Sequence, residues 1–247
     1  MRRALLAIYW RLRQLIAPRL RYSQYAYEEL LVRAVTPGVH WIDVGCGHSI
    51  LPSWRSAEEQ RLVANAGRLV GVDYDFGALN VHPSIRWRVR GDVTRLPFKD
   101  GSFDLVTANM VVEHLDNPAD QFREVRRILR PNGVFLFHTP NALGYGVVAG
   151  RLLPDGLKSR LAYLLQGRSA DDVFPTYYRA NSEESIRQLA RACGFTVKEF
   201  DLVVSDAIFA MIPPVAMFEL FWLRILMTAP FRRFRTNIVT VMQASNA

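Results

Sequence analysis

Five short apolar runs separated by polar or helical connections dominate residues 38–141. They are His40–Val44, Leu69–Val72, Ile85–Val89, Phe103–Ala108 and Val134–His138. Runs of strand length joined by crossover-length segments are the pattern of a parallel α/β sheet. Pro118 opens the stretch ADQFREVRRILR, whose Phe122, Val125, Ile128 and Leu129 recur at helical spacing and make one apolar face. Pro131-Asn-Gly133 is expected to stop that helix and turn the chain into the next strand. Later, Asn181-Ser-Glu-Glu184 reads as a capping box with Asn181 at the N-cap, and Phe195–Val204 and Asn237–Gln243 read as two more strands.

In an open parallel sheet, ligands bind beyond the carboxyl ends of the strands. The first strand ends in Asp43-Val-Gly45-Cys46-Gly47, where alternate glycines let backbone approach a ligand closely. A dinucleotide cradle needs a third glycine, and Ile50 stands at that position. The carboxylate of Asp43 also repels a diphosphate and suits a cationic ammonium. Asp73, at the end of GVD, is placed to accept hydrogen bonds from two ribose hydroxyls, and Asp92 in RGDVTRLPF to accept the amino group of a base that Val93 packs against.

Taken together, DVGCG, GVDYD and GDVTRLPFKDGSFDLVTANMVVEHLDNPADQFREVRRILRPNG resemble the class I S-adenosylmethionine-dependent methyltransferases, in particular the small-molecule, ubiquinone-biosynthesis-like group. The resemblance implies a Rossmann-like, doubly wound, mostly parallel seven-stranded sheet with an antiparallel last strand. It also implies S-adenosylmethionine as cofactor. Asp43, Gly45, Cys46 and Gly47 would then hold its methionyl part, Asp73 its ribose, and Asp92 with Val93 its adenine, with Tyr74 and Asn109 in the same cofactor-binding set. Ser49 stands where the family's pattern has a third glycine.

The same resemblance places Asn109–Leu115 beside the transferring methyl. His114 is therefore the candidate general base, histidine being a residue type suited to proton transfer, while Glu113 and His114 could equally brace the loop. His138, Asn141, Tyr177, Tyr178 and Arg179 are candidate acceptor contacts, with a surface salt bridge as the other reading of Arg179. Related enzymes that use a metal carry an acid where this chain has Met110, and a thioether is a poor ligand for a hard cation, so no metal is expected.

The net charge is +8, carried almost wholly by arginine. Arg2, Arg3, Arg11, Arg13, Arg19 and Arg21 all precede the first acid, Glu28. Within residues 1–36, Leu5, Ile8, Tyr9, Leu12, Leu15 and Ile16 form the apolar stripe of a basic amphipathic helix, fitted to lie in an anionic membrane interface or to pack on its own domain. Arg11 and Arg13 interrupt the apolar run, so it does not read as a signal peptide.

Residues 37–247 are assigned to the methyltransferase domain, with a cap insertion at about 142–180 and an apolar helical insertion at about 207–234. Pro213-Pro214, Glu219 and Arg224 divide the second insertion, arguing against a membrane span. The expected setting is cytoplasmic, peripheral at the inner face of the membrane, through residues 1–21 and 207–235.

Cys46 and Cys193 fit neither a disulfide framework nor a zinc site. The sequence lacks the Pro-Pro-aromatic tetrad of base amino-methyltransferases, a Pro-Cys pair and the paired glutamates of arginine methyltransferases, and no nucleic-acid partner is expected. The expected activity is O-methylation of a small-molecule, lipid-linked or glycan acceptor. A non-catalytic cofactor-binding module and a nicotinamide-dependent oxidoreductase are the other classes considered.

Overall fold

A computed structural model describes residues 2–152 and 175–245. Seven strands form one sheet: β1 (His40–Val44), β2 (Arg68–Asp73), β3 (Trp87–Arg90), β4 (Phe103–Asn109), β5 (Leu129–Pro140), β6 (Phe195–Val203) and β7 (Asn237–Ala244). Their order is β3-β2-β1-β4-β5-β7-β6, with every pairing from β3 to β5 parallel and an antiparallel strand at the far end. The order reverses at β1, so the glycine turn emerges at the topological switch point. The helices are α1 (Arg2–Ile16), α2 (Ser23–Ala34), α3 (Ser56–Asn65), α4 (Phe76–Val81), α5 (Pro118–Ile128), α6 (Tyr145–Leu152), α7 (Glu183–Ala192) and α8 (Pro213–Leu226).

The chain divides into two compact units. Residues 26–139, 177–201 and 239–247 form a sheet unit, and residues 1–25, 140–176 and 202–238 a helical unit. In the sheet unit, α5 begins with Pro118, carries Asp120 in its first turn and Arg126 and Arg127 in its last, all favourable to the helix dipole. Its face of Phe122, Val125 and Ile128 is buried, and the Phe122 ring packs edge-on against Phe135, Phe137 and Phe195.

Two local readings are corrected. The helix ends at Ile128, and Pro131–Gly133 lies inside β5 rather than forming a separate turn. Asn132 takes a φ of 64° at an irregularity in the β4–β5 register. The N-cap of α7 is Ser182, whose hydroxyl accepts from the Ser185 N–H while the Ser185 hydroxyl accepts from the Ser182 N–H. Asn181 is instead fully buried, donating to Thr139 Oγ1 at 2.7 Å. A buried amide pays more for losing its partner than a helix end does for exchanging one cap for another.

The loop between β3 and β4 is held by one side chain. Arg127 donates from Nη1 to the Phe98 carbonyl and Asp100, from Nη2 to the Leu96 carbonyl, and from Nε and Nη2 to Glu124. Glu124 in turn accepts the Leu96 N–H at 2.6 Å.

In the helical unit, α1 packs on α8. Tyr9, Ile16, Leu20, Ala216, Leu220, Leu223 and Leu226 form the core. The stripe read from the sequence is only partly used: Tyr9 and Ile16 are buried, Leu5 and Leu12 half-buried, and Ile8 and Leu15 exposed. Glu219 and Arg224, which interrupt the apolar run, have structural tasks. The buried Glu219 carboxylate accepts the N–H groups of Ile208 and Phe209 and the Tyr145 hydroxyl. Arg224 donates to the Ile16 carbonyl at the end of α1. Most of the cap insertion, residues 153–174, lies outside the described residues. Among those described, no helix is long and apolar enough to cross a membrane.

Substituting Arg127→Ala is expected to lower the free energy of unfolding by about 2 kcal/mol in urea denaturation, because charged hydrogen bonds to Glu124 and Asp100 are lost and carbonyls are left open. Arg123→Ala removes only an exposed pair with Asp120 and should cost less than about 0.5 kcal/mol.

Candidate functional site

The turn after β1 folds back on β2. The N–H groups of Gly45 and Cys46 both donate to the Val72 carbonyl, at 2.7 and 3.2 Å. Gly45 (φ 67°) must lack a Cβ, because one would lie 2.3 Å from a Val111 methyl. Gly47 (φ 51°) differs: a Cβ there would meet nothing within 4 Å, so bare backbone borders open space. Beside it, Asp73 Oδ2 accepts the Gly47 N–H at 2.8 Å and Oδ1 accepts the Asp75 N–H at 2.8 Å. Each oxygen keeps a second lone pair, and the half-buried carboxylate stands at the end of β2 where hydroxyls could reach it. The Gly91 N–H donates to the Asp73 carbonyl, which brings the end of β3 to the same edge.

Asp92 is exposed and its Oδ1 accepts the Thr94 N–H at 2.8 Å, so it closes a local turn with Val93 half-buried beside it. Tyr74 is 68% exposed, with the Arg90 guanidinium 5.6 Å from its ring centroid. Cys46 points inward, is buried, and its thiol pKa is raised by burial and then by Asp43 and Asp73.

Asp43 is the most constrained member of the set. Its carboxylate is 4% exposed and accepts from the Thr107 hydroxyl, which itself accepts from Trp41 Nε1 at 2.7 Å. Burial raises its pKa to about 7, against the lowering effect of the Thr107 hydrogen bond, with Glu59 and Asp73 adding to the rise. Asn109, at the end of β4, meets His138 Nδ1 through its Oδ1 at 2.9 Å. His138 is buried, stacks on Tyr27 with centroids 5.9 Å apart, and has its pKa lowered by desolvation to about 4, so its imidazole is neutral at pH 7.

The loop after β4 passes through Met110 (φ 58°) into a short 3-10 helix, Val112–His114. His114 is half-buried. Glu113 is buried and accepts from Thr139 Oγ1, and its carbonyl accepts the N–H groups of Tyr177 and Tyr178. The structure therefore brings Tyr177, Tyr178 and Arg179 against the His114 loop. Arg179 forms the salt bridge to Asp116, at 2.8 Å, and its guanidinium lies 5.5 Å from the Tyr177 ring centroid. Asn141 belongs to the helical unit, where its side chain donates to the Arg233 and Arg235 carbonyls and accepts the Leu143 N–H.

A cavity of about 550 Å³ opens on the α3 side of the turn, lined by residues including His48, Ser49, Glu59, Gln60 and Ser84. It borders the turn's later residues rather than the Gly45, Gly47 and Asp73 edge. Among the described residues no group of three His, Cys, Asp or Glu side chains could hold a metal ion.

Sequence reading missed the Trp41–Thr107–Asp43 chain, Tyr27 against His138, and Thr139 and Asn181 behind Glu113. The one visible signal was Thr107, a hydroxyl in the middle of the apolar run FDLVTA.

The donor set fits an adenosyl amino acid: bare glycine backbone, a carboxylate at the end of β2, and a second carboxylate after β3. Comparison with known proteins agrees with this. Residues 42–137 match the methyltransferase domain family. A probable S-adenosylmethionine-dependent methyltransferase of Mycolicibacterium smegmatis is 35% identical over 130 residues, 51% of this chain and 46% of that protein. A malonyl-acyl-carrier-protein O-methyltransferase of Legionella pneumophila is 35% identical over 104 residues, 40% of this chain and 35% of that protein. The chain thus spans less than half the length of either relative. Among solved structures, the 4+2 cyclase SpnF superposes with a TM-score of 0.55 at 16% identity, covering 89% of this chain and 81% of that one, a likeness of fold alone. The match falls on the strands that carry the site, so residues 42–137 are similar to the methyltransferase domain and to proteins named as S-adenosylmethionine-dependent methyltransferases.

Proposed function

We propose that this chain O-methylates a small-molecule, lipid-linked or glycan acceptor at or near a membrane surface. The observation that carries the reading is the Gly47–Asp73 edge, where open backbone and a half-buried carboxylate adjoin at the switch point of the sheet. Bound there, S-adenosylmethionine supplies a methyl group already activated by its sulfonium. The protein's task is then to align an acceptor and exclude water. The Legionella relative, named as an O-methyltransferase, supports oxygen as the acceptor atom.

Asp73 is assigned to the ribose, Asp92 and Val93 to the adenine, and Asp43 with the Gly45–Gly47 backbone to the methionyl end. His114 is assigned to take the acceptor's proton, because it is the half-buried histidine on the loop whose Glu113 carbonyl accepts the Tyr177 and Tyr178 N–H groups. His138, neutral and hydrogen-bonded to Asn109, is assigned to shaping the pocket wall rather than to proton transfer.

Asp43 adds a linkage. Its raised pKa means that the folded protein holds this proton up to about pH 7. A cationic ammonium beside it stabilises the carboxylate and lowers that pKa, so cofactor binding releases a proton below about pH 7. Affinity then rises with pH up to about 7 and levels off above it.

Three measurements test this reading. Isothermal calorimetry should show S-adenosylmethionine binding that weakens at least tenfold in Asp73→Ala; absence of binding heat in the wild-type chain would refute the enzyme reading. At pH 6, binding heats in buffers of different ionisation enthalpy should report proton release that Asp43→Asn abolishes. With labelled cofactor and a cell extract split into lipid, glycan and small-molecule fractions, His114→Ala should lower methyl transfer about 100-fold without weakening cofactor binding. A change in binding alone would reduce His114 to a loop brace.

A further inference from the structure

The inner side of α8 places Ala216, Leu220, Leu223 and Leu226 in the core of the helical unit, each fully buried. Its outer side is apolar as well. Val215 is 42% exposed, Phe218 70%, Phe221 49%, Trp222 38% and Ile225 42%. At about 100° per residue these five cover roughly a third of the helix circumference. A helix that is apolar all round belongs inside a core or against hydrocarbon, yet α8 presents one of its two stripes to the surface. Phe231 extends the patch, its ring packed edge-on to Trp222 at 6.2 Å.

Charge around the patch has one sign. Arg224, Arg232 and Arg233 are exposed, and the Arg233 guanidinium sits 4.6 Å from the Phe234 ring centroid. Between residues 207 and 236 the acid is Glu219, and its carboxylate is turned inward onto Ile208, Phe209 and Tyr145. The partner helix α1 adds exposed Arg2, Arg3 and Arg11 from a stretch with no acid before Glu28.

We infer that the outer stripe of α8, with Phe231, lies flat in the headgroup region of an anionic bilayer, while the surrounding arginines contact lipid phosphates. The inference deepens the membrane setting of the proposed function and rests on that reading for its purpose. An anionic bilayer offers an apolar layer and a sheet of negative charge at the depths this surface needs. A second copy of the chain would instead set the same arginines against one another. With 14 residues and about 21 Å of length, α8 is too short to span. Within the two segments that the sequence suggested, 1–21 and 207–235, the structure divides the tasks: the buried part of the apolar stripe of α1 is taken up by α8, so α1 contributes charge and α8 contributes apolar surface.

The test uses the full chain and vesicles of phosphatidylcholine with or without phosphatidylglycerol. Wild type should float with the anionic vesicles and remain in solution with the neutral ones. The double variant Phe218→Ser/Ile225→Ser should partition at least tenfold more weakly, and Arg232→Gln/Arg233→Gln about tenfold more weakly. Quenching of tryptophan fluorescence by brominated lipid should be largely lost in Trp222→Phe. Thermal melts and cofactor calorimetry on the same samples keep this result separate from the methyltransferase reading: a chain that binds cofactor but does not float refutes only the membrane contact. Flotation unchanged by the Phe218/Ile225 variant would overturn the inference. So would a concentration-dependent dimer that the same variant dissolves.

Discussion

A carboxylate in the middle of the sheet sets the conditions for much of what surrounds it. Asp43 lies directly across from Thr107 in the β1–β4 register, accepts that residue's hydroxyl, and through it connects to Trp41 Nε1 two residues upstream on its own strand. These are buried polar groups, so each depends on the others for its hydrogen bonds. The chain Trp41–Thr107–Asp43 therefore fixes which residues of β1 and β4 face one another. That register decides where Gly45 and Asn109 emerge, and hence where the site can be.

The strand pattern was legible because parallel strands buried on both faces read as continuous apolar runs. The apolar runs of β1, β2 and β4 end within a residue of the observed strand boundaries. Phe122, Val125 and Ile128 were equally plain, since an amphipathic helix against a sheet leaves a strong period. Where sequence reading failed, two local options were close in energy. Asn181 and Ser182 can each cap a helix, and only the demand of buried Thr139 decides between them. Leu15 and Ile8 continue the period of Tyr9 and Ile16, but α8 is too narrow to cover them all.

The site shows the same division. Gly45, Gly47 and Asp73 could be placed together from the sequence because their positions follow from where the strands end. The surroundings of His138 could not, because Asn109 and Tyr27 reach it from elements 29 and 111 residues away in the chain. The helical unit was read as apolar but not as two-sided. The burial of one stripe of α8 and the exposure of the other depends on where α1 comes to rest, which no single segment encodes.

Cys46 has a place in this chemistry that its burial defines. If the turn receives an electrophilic methyl donor, as proposed, it is a hazardous location for a sulfur nucleophile. This one sits between two glycines with its thiol turned under the turn; a Cβ on Gly71 would come within 2.8 Å of that sulfur. Only a thiolate attacks such a centre effectively, and the surroundings of Cys46 hold it in the thiol form. On the proposed reading, that burial would keep the turn from being alkylated by the cofactor it holds.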